Sequence, residues 1–577
     1  MLSAPAWPHH VMRHHLMPHP HPHHHHPAVR GRTAPAALSA LAAALLAAGC
    51  AQGPPPNGAP AAAGRPPLQL TVLHTNDHHG RFWPNADGEY GLAARKTLVD
   101  RVRAEVAAAG GHTLLLDGGD VNTGVPESDL QDAEPDFLGM NALAYDAMAV
   151  GNHEFDKPPA VLARQRGWAA FPLLSANIYR ADGQRLFQPY QLFNKAGYRI
   201  AVIGLTTDDT PRMVFPDHIA GLRFRAPADE AAQLVPQLRG QVDMVIAATH
   251  MGHYPDGRHG LQAPGDVELA RAVPGIDLVV GGHSQNPVCM VAENQRDDAY
   301  VPGTPCAPDR QNGAWIVQAH EWGKYVGRAD FSIDAGQVRL LRYQLLPVNL
   351  KPRGPDGQGR LVGEAIAEEP ALRALLQPFR DAGQARLQVP VGLADAGFDV
   401  DRTVVRQRAT ALGVLIARSM MARTGADLAL MNGGGIRTGL PAGTITYRDV
   451  LMVQPFANTV VVVTLTGAEL LDFLNAAAKM PPGSGGFPHT AGLDWRIVGG
   501  VVVSAKVAGL AVAPGRRYQL ALNNFVAAGG DGYPRLAGHP GYVDSGFNDA
   551  EVLRDYIGRH SPLRLPAYEP GAAVLRR

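Results

Sequence analysis

The stretch LQLTVLHTNDHHG, residues 68–80, starts with apolar residues and ends in a polar cluster. Its first eight residues have the pattern of a largely buried β-strand. Asp77, His78 and His79 follow at once, where neither a solvent-exposed turn nor an apolar core needs three such side chains. We interpret the strand as an element that aims metal-binding side chains at one edge of a sheet.

Four later segments repeat this design of an apolar run followed by Asp, Asn or His: DGGD, GNHEFD, THMGH and GGHSQ. Sheets covered by helices collect ligand sites at the carboxyl ends of their strands. Any one of these residues alone is more often a turn residue or a buried histidine, but five such strand ends in one chain predict a shared site. The candidate metal ligands are Asp77, His79, Asp120, Asn152, His250, His283 and Gln285.

These ligands are carboxylate, amide and imidazole groups, which suit borderline-hard divalent ions. They are too many for one tetrahedral zinc ion and predict two ions that share a bridging carboxylate. Two such ions can stabilise both the attacking and the leaving oxygen of a phosphoryl displacement. His153 and Asp156 are three residues apart and would face the same side of a helical turn, where the carboxylate can orient the imidazole.

The chain has 577 residues, so two or more domains are expected. Lys+Arg and Asp+Glu both total 52, which gives no electrostatic reason to expect nucleic acid as a partner. We predict a His-rich leader and signal peptide over residues 1–50, a Pro/Ala/Gly tether over 51–67, a catalytic domain over 68–365, a linker helix or hinge over 366–389, and a substrate-binding domain over 390–577.

The N-terminal prediction depends on Arg30 and Arg32, which precede a short apolar run ending in small residues. This order is typical of a signal peptide, and the run is too short for a typical transmembrane helix. Cys50 after Gly49 is similar to the lipidation site of bacterial lipoproteins, although Ala47 departs from that motif. The prediction is a periplasmic or outer-envelope protein, either anchored through Cys50 or released.

The second half carries residues that suit a nucleotide. Arginines pair with phosphate, and aromatic rings stack on planar bases. Taken alone, Phe456 or Phe525 is more often a core residue, and a glycine triplet such as residues 433–435 is usually a turn. The candidate substrate-binding residues are Arg402, Arg406, Gly434, Arg437, Phe456, Asn458, Phe525 and Asp531.

The motifs HTNDHHG, GGD, GNHEFD, ATHMGH and GGHSQ resemble the calcineurin-like metallophosphoesterases, specifically the bacterial 5′-nucleotidase/UDP-sugar hydrolase group. The resemblance runs from about residue 68 to the end. It implies an α/β fold with an N-terminal four-layer αββα sandwich, a linker helix and a C-terminal α/β nucleotide-binding domain that rotates to bring substrate to the metals. It also implies zinc, manganese or cobalt as the metal.

The resemblance assigns each residue a role. One ion would be held by Asp77, His79, Asp120 and Gln285, and the other by Asp120, Asn152, His250 and His283. His153 and Asp156 would be the catalytic dyad. The three arginines would contact phosphate, and Phe456 and Phe525 would clamp the base, while Asn458 can contact base edges and Asp531 ribose hydroxyls.

Besides Cys50, the chain has two cysteines, Cys289 and Cys306. In an oxidising compartment they can close a loop; otherwise they are two unrelated thiols.

The expected function is hydrolysis of 5′-nucleotides and UDP-sugars by a monomeric enzyme. One alternative is a 2′,3′-cyclic-nucleotide phosphodiesterase/3′-nucleotidase on the same scaffold. The other is a non-catalytic nucleotide-binding or adhesion protein, which would be expected to have lost some ligands.

Overall fold

The strand predicted at residues 68–75 lies in the middle of a six-stranded sheet, in a computed structural model that describes residues 65–214, 216–254, 263–354, 358–398 and 400–570. Leu68–Thr75 pairs antiparallel with Tyr325–Asp334 and parallel with His112–Asp117. The leader, the tether up to residue 64 and the predicted lipidation site Cys50 lie outside the described residues. None of the helices in the described ranges is long and apolar enough to cross a membrane.

Two six-stranded sheets form the N-terminal domain. In spatial order, the first contains Gln337–Pro347, Tyr325–Asp334, Leu68–Thr75, His112–Asp117, Ala147–Ala149 and Leu173–Leu174. The second contains Asp309–Gln311, Ala314–Val317, Leu278–Val280, Met244–His250, Tyr198–Thr206 and Tyr190–Lys195. Small two-stranded sheets pair Ile178–Tyr179 with Arg223–Phe224 and Met290–Ala292 with Gln295–Arg296.

The two sheets pack face to face, because alternate residues of their strands point to opposite faces. Val72 of the first sheet and Ile246 of the second lie in the core between the sheets. Their neighbours Leu73 and Val245 point outwards into cores under helices. The predicted two-domain α/β fold with a four-layer N-terminal domain is thereby confirmed.

Helices cover the outer face of each sheet. Over the first sheet lie Leu92–Ala108, Glu134–Ala142 and Pro159–Trp168, and over the second lie Pro227–Arg239 and Asp266–Ala272. Short helical turns in the loops that follow the strands are Pro126–Asp129, His153–Phe155, Thr210–Met213 and Pro216–Ile219.

The predicted linker helix is Pro370–Leu387. The Glu369 carboxylate caps its first turn by accepting the N–H groups of Ala371 and Leu372 at 3.1 and 2.6 Å. Leu372 and Leu376 are buried in the core under the first sheet. The helix therefore packs as part of the N-terminal domain, and the hinge within residues 366–389 remains a prediction.

The C-terminal domain is built on a five-stranded sheet covered on both faces. Its spatial order is Pro488–Ala491, Leu428–Asn432, Arg517–Asn523, Thr459–Thr466 and Tyr542–Asn548. One face packs on Ala411–Thr424, Tyr447–Val453 and Asp549–His560. The other packs on Gly467–Ala478 and a small sheet of Leu493–Val498, Val501–Val507 and Leu510–Ala511. The remaining elements are the strand pair Pro390–Ala394 with Gly443–Thr446, the short helix Asn524–Ala527, and 3₁₀ turns at Val404–Arg406, Gly433–Gly435, Gly530–Gly532 and Leu565–Tyr568.

Cys289 and Cys306 form a disulfide bond, as one of the two sequence alternatives predicted. Both residues are buried beside the core between the sheets. The double replacement Cys289→Ser, Cys306→Ser is expected to lower the free energy of unfolding by about 3 kcal/mol, the chain-entropy estimate for a loop of this length. Chemical denaturation with and without reductant measures the change. If reductant left the denaturation midpoint of the wild type unchanged, the prediction would be contradicted. The double variant is the control, because it has no disulfide and reductant should not change its midpoint.

Candidate dinuclear metal centre and substrate cavity

The predicted metal-binding loops meet at one edge of the two sheets, where the parallel strands end. Backbone hydrogen bonds join the first two loops: Asp77 N–H donates to the Gly119 carbonyl at 2.8 Å, and His79 N–H donates to the Asp120 carbonyl at 3.0 Å. From the second sheet, His283 N–H donates to Asp77 Oδ2 at 2.9 Å. Segments far apart in sequence are thus held together by hydrogen bonds that main-chain N–H groups donate to carbonyls and to the Asp77 carboxylate.

Five of the seven candidate ligands have left-handed backbone conformations, which non-glycine residues adopt at an energetic cost. Their φ angles are 50° for Asp77, 49° for His79, 61° for Asp120, 77° for His283 and 54° for Gln285. Such strain concentrates at functional sites, where surrounding structure enforces it.

The first group of candidate ligand atoms belongs to His79, Asp120 and His153, and these atoms lie within 4.8 Å of one another. His79 Nδ1 contacts the Asn122 and Thr123 carbonyls at 3.0 and 2.9 Å. Carbonyls only accept, so Nδ1 carries the proton and Nε2 presents its lone pair to the site. The amide Nε2 of Gln285 donates to this lone pair at 2.6 Å, so a half-turn of the amide is needed to present its oxygen to an ion.

The second group contains Asp120, His250 and His283. His250 Nδ1 donates to the Gly118 carbonyl at 2.7 Å, and its Nε2 lies 2.9 Å from Asp120 Oδ2. His283 Nδ1 lies 3.0 Å from Asn152 Oδ1. Asp120 belongs to both groups, which is the position expected for a carboxylate shared by two ions.

The charges of this cluster fit divalent cations. Asp77 Oδ1 is buried without a hydrogen-bond partner in the described structure, and burial raises the pKa of this carboxyl to about 7. Burial lowers the pKa of His250, but Asp120, Asp77 and the Gly118 carbonyl together raise it to about 10. Cations bound to these donors would compete with protons for the same lone pairs.

The predicted dyad is assembled beside the first group. His153 opens the turn His153–Phe155, and its Nδ1 lies 2.5 Å from Asp156 Oδ2. Its Nε2 is 3.9 Å from Asp120 Oδ2, and its side chain is 12% exposed. Burial lowers the pKa of His153, but Asp156 and Asp120 raise it more, so the net shift is upwards.

A cavity of about 830 Å³ lies between the two domains. From the N-terminal domain, Asp120, Asn152, His153, Asp156, His283 and Gln285 line it. From the C-terminal domain, all eight candidate substrate residues do: Arg402, Arg406, Gly434, Arg437, Phe456, Asn458, Phe525 and Asp531. Asp77, His79 and His250 do not line the cavity and are buried.

Three guanidinium groups of this cavity lie close enough to affect one another. Burial and Arg402 lower the pKa of Arg437 to about 9. Burial and the other two arginines lower the pKa of Arg406, whose Nε is buried without a hydrogen-bond partner within the described ranges. Crowded, desolvated positive charge of this kind favours binding of an anion.

The aromatic residues have contacts that the sequence did not indicate. The ring of Phe456 stacks on His153, with centroids 5.9 Å apart and planes 14° apart, and the Arg437 guanidinium carbon lies 5.5 Å from its centroid. One face of Phe456 thus already contacts the predicted dyad. The main-chain carbonyl of Asn458 accepts the Asp549 N–H at 2.8 Å, and Asn458 lines the cavity.

Comparison with known proteins agrees with this architecture. Residues 70–287 match the calcineurin-like phosphoesterase family, and residues 385–538 match the 5′-nucleotidase C-terminal domain. The chain is 55% identical over 515 residues to protein UshA of Escherichia coli, covering 88% of this chain and 94% of UshA. The chain belongs to the UshA/5′-nucleotidase family.

Other members of this family are similar over comparable lengths. The 5′-nucleotidase of Vibrio vulnificus is 50% identical over 547 residues, covering 93% of this chain and 98% of the relative. A 5′-nucleotidase precursor from Thermus thermophilus has a crystal structure with a TM-score of 0.72 and 31% identity, covering 88% of this chain and 99% of that one. The UshA/5′-nucleotidase family member described here is accordingly a metallophosphoesterase-type hydrolase.

Sequence reasoning missed several residues of this family member that line the cavity, among them Met213, Val214, His218, Tyr254 and Asn432. Tyr254 directly follows the THMGH motif, and Asn432 directly precedes the glycine triplet. Their positions beside these motifs could have indicated that they line the site. Met213, Val214 and His218 follow no motif that indicated a site.

Glu154 is a further missed residue, although it lies inside the GNHEFD motif. Its buried carboxylate accepts backbone N–H groups from Asp120, Val121, Asn122 and Gly151 at 3.1, 2.9, 3.3 and 2.7 Å. It therefore holds the loop that carries Asp120 against the loop that carries Asn152.

Glu154→Gln is expected to weaken metal binding by roughly 10–100-fold, the usual effect of losing a partner that orients ligands. The amide keeps the size of the carboxylate but replaces an acceptor oxygen by a donor that faces backbone N–H groups. Titration of Zn²⁺ or Mn²⁺ into chelator-treated protein measures the affinity. Exposed Glu364→Gln is the matched control, and equal affinities of the two variants would contradict the prediction.

Proposed function

We propose that this protein is an exported phosphohydrolase with two divalent metal ions. It converts 5′-nucleotides to nucleoside and phosphate, and UDP-sugars to UMP and sugar 1-phosphate. The observation that carries the proposal is the single cavity in which candidate metal ligands and the His153–Asp156 pair face arginines and aromatic rings. The names of the UshA and Vibrio relatives support the nucleotide class.

In this proposal one ion is held by Asp77, His79, Asp120 and Gln285, and the other by Asp120, Asn152, His250 and His283. Zinc, manganese or cobalt suits these donors. Two bound ions supply Lewis acidity and lower the pKa of bound water, which makes a nucleophile available near neutral pH.

The side chains of the protein perform the remaining steps. Asp156 accepts a hydrogen bond from Nδ1–H of His153 and fixes the ring, so that the imidazolium can donate its Nε2 proton to the leaving oxygen and become a neutral imidazole. Arg402, Arg406 and Arg437 bind phosphate oxygens, and because these side chains are partly buried the contacts act at a lower dielectric than in water.

The nucleoside lies towards the C-terminal wall. Phe525 and Phe456 contact the base, the side-chain amide of Asn458 contacts its edge, and Asp531 accepts from a ribose hydroxyl. Gly434 leaves room for the ribose beside Asp531, since a Cβ at this position would lie 2.9 Å from Asp531 Oδ2.

A substrate panel tests this proposal. Purified protein is treated with EDTA, resupplied with Zn²⁺, Mn²⁺ or Co²⁺, and assayed with AMP, UDP-glucose and 2′,3′-cyclic AMP. We expect hydrolysis of AMP and UDP-glucose that EDTA removes and at least one metal restores. Preference for 2′,3′-cyclic AMP would favour the cyclic phosphodiesterase alternative, and binding of AMP without turnover under all metals would favour a non-catalytic binding protein.

The export part of the proposal rests on the leader sequence and is supported by the disulfide, because such bonds persist in oxidising compartments. The protein would act as a monomer in the periplasm or at the outer envelope, with Cys50 as the point of lipid attachment. Mass spectrometry of the mature N-terminus tests this: a diacylated Cys50 is expected, and an unmodified mature start would contradict the anchor.

A further inference from the structure

Two buried asparagines end neighbouring parallel strands of the C-terminal sheet. Asn432 is the last residue of Leu428–Asn432 and Asn523 the last residue of Arg517–Asn523. Their exposures are 1% and 0%, although asparagine is rarely so buried. Buried amides require hydrogen-bond partners, so the contacts of this pair identify its role.

The two amides form a continuous relay. Val526 N–H donates to Asn523 Oδ1 at 2.8 Å, Asn523 Nδ2 donates to Asn432 Oδ1 at 2.9 Å, and Asn432 Nδ2 donates to Asp531 Oδ2 at 2.7 Å. The direction of every link follows from the first one. A backbone N–H can only donate, so Asn523 must turn its oxygen to Val526 and its NH₂ to Asn432, and Asn432 must then turn its NH₂ to the carboxylate.

Each end of the relay contacts an element that lines the cavity, the helix of Phe525 at one end and Asp531 at the other. Val526 belongs to the short helix Asn524–Ala527, which carries Phe525, and the Asn523 side chain caps this helix. Asp531 has a φ of 55°, and its carboxylate lies against backbone at Gly434 and Gly485, where added Cβ atoms would approach its oxygens to 2.9 and 2.7 Å. Gly530 supports the Phe525 ring in the same way, since a Cβ there would lie 2.4 Å from a ring carbon.

We propose that Asn432 and Asn523 are positioning residues for the nucleoside part of the substrate. The relay turns Asp531 so that one oxygen is held by Asn432 and the other is left to accept from a ribose hydroxyl, and it locks the turn that presents Phe525 to the base. This inference rests on the proposed function, because it takes a nucleoside as the ligand of Phe525 and Asp531. Asn523 acts at a distance, since it does not line the cavity.

Asn523→Asp is the variant that tests the direction of the relay most directly. The new carboxylate still accepts from Val526 N–H and so keeps the helix cap, but it can no longer donate. Asn432 must then turn its NH₂ towards residue 523 and its oxygen towards Asp531, which removes the donor from a carboxylate two links away. Asn475→Asp is the matched control, because Asn475 also accepts a backbone N–H, that of Val502 at 2.9 Å, in the same domain but does not line the cavity.

Binding of adenosine, measured by calorimetry without turnover, is expected to weaken roughly tenfold in Asn523→Asp, the usual effect of losing a hydrogen bond to a charged group. The KM for AMP should rise by a similar factor, whereas kcat for 4-nitrophenyl phosphate, which has no nucleoside, should stay within about twofold of wild type. Wild-type affinity for adenosine in Asn523→Asp, or an equal loss in Asn475→Asp, would overturn the positioning role.

A double-mutant cycle tests the relay without any substrate. Asn523→Asp is expected to lower the unfolding midpoint in the Asp531 background but less in the Asp531→Asn background, where the introduced amide can donate to the reversed Asn432. Equal effects in both backgrounds would overturn the relay. If wild type binds adenosine but does not hydrolyse AMP, the proposed function fails while the relay is still judged by the cycle and by adenosine binding.

Discussion

Asp120→Asn is expected to lower kcat/KM for AMP by at least about 10³-fold, because one neutral hydrogen-bond donor to a transition state is already worth about 10²–10³ in kcat. Asp120 belongs to both groups of candidate ligands. Its Oδ2 faces His250 at 2.9 Å and His79 and His153 at 3.9 Å each, and its Oδ1 accepts His153 N–H at 2.9 Å. The amide keeps the shape and that last acceptor but loses the negative charge between the two groups.

Metal content and activity should fall together in this variant. Elemental analysis of the purified protein provides the first measurement and AMP hydrolysis the second. Asp146→Asn is the control, since this carboxylate accepts Leu115 N–H at 2.8 Å in the same domain but does not line the cavity. An Asp120→Asn protein that retained a tenth of wild-type activity would exclude Asp120 as a ligand shared by two ions.

His153→Asn should lower kcat for AMP by about 10²–10⁴-fold, the range for general acid–base groups, with little change in metal content. The geometry leaves two roles open, because His153 lies in a candidate ligand group and also bonds Asp156 through Nδ1. A ligand would lose metal on replacement, whereas a proton donor would lose rate only.

Leaving-group dependence separates these roles further. If His153 protonates the leaving oxygen, its loss should matter much less for 4-nitrophenyl phosphate, whose leaving group needs no proton, than for AMP. Asp156→Asn should have a smaller effect than His153→Asn, and the double variant should resemble His153→Asn alone, since Asp156 acts through the imidazole. Additive effects of the two replacements would rule out a dyad.

Local patterns in the sequence were sufficient for the elements that carry the metal centre. The strand Leu68–Thr75 was predicted with its observed bounds, because a run of eight residues with alternating apolar positions and a polar end is typical of a buried strand. The strands before Asp120, His250 and His283 were found in the same way. In an α/β fold such strands pair in parallel and bring their polar ends to one edge, so the general rule for this fold class was enough to group the ligands.

The tertiary structure alone decided the features that depend on contacts between distant segments. The left-handed backbone at Asp77 and Asp120 results from hydrogen bonds between two loops, and a residue's own type does not indicate it. The stacking of Phe456 on His153 joins the two domains, and the amide relay depends on two strand ends becoming neighbours. A sequence determines which side chains follow a strand because that pattern is local, whereas which side chains touch is decided when distant segments pack together and exclude water.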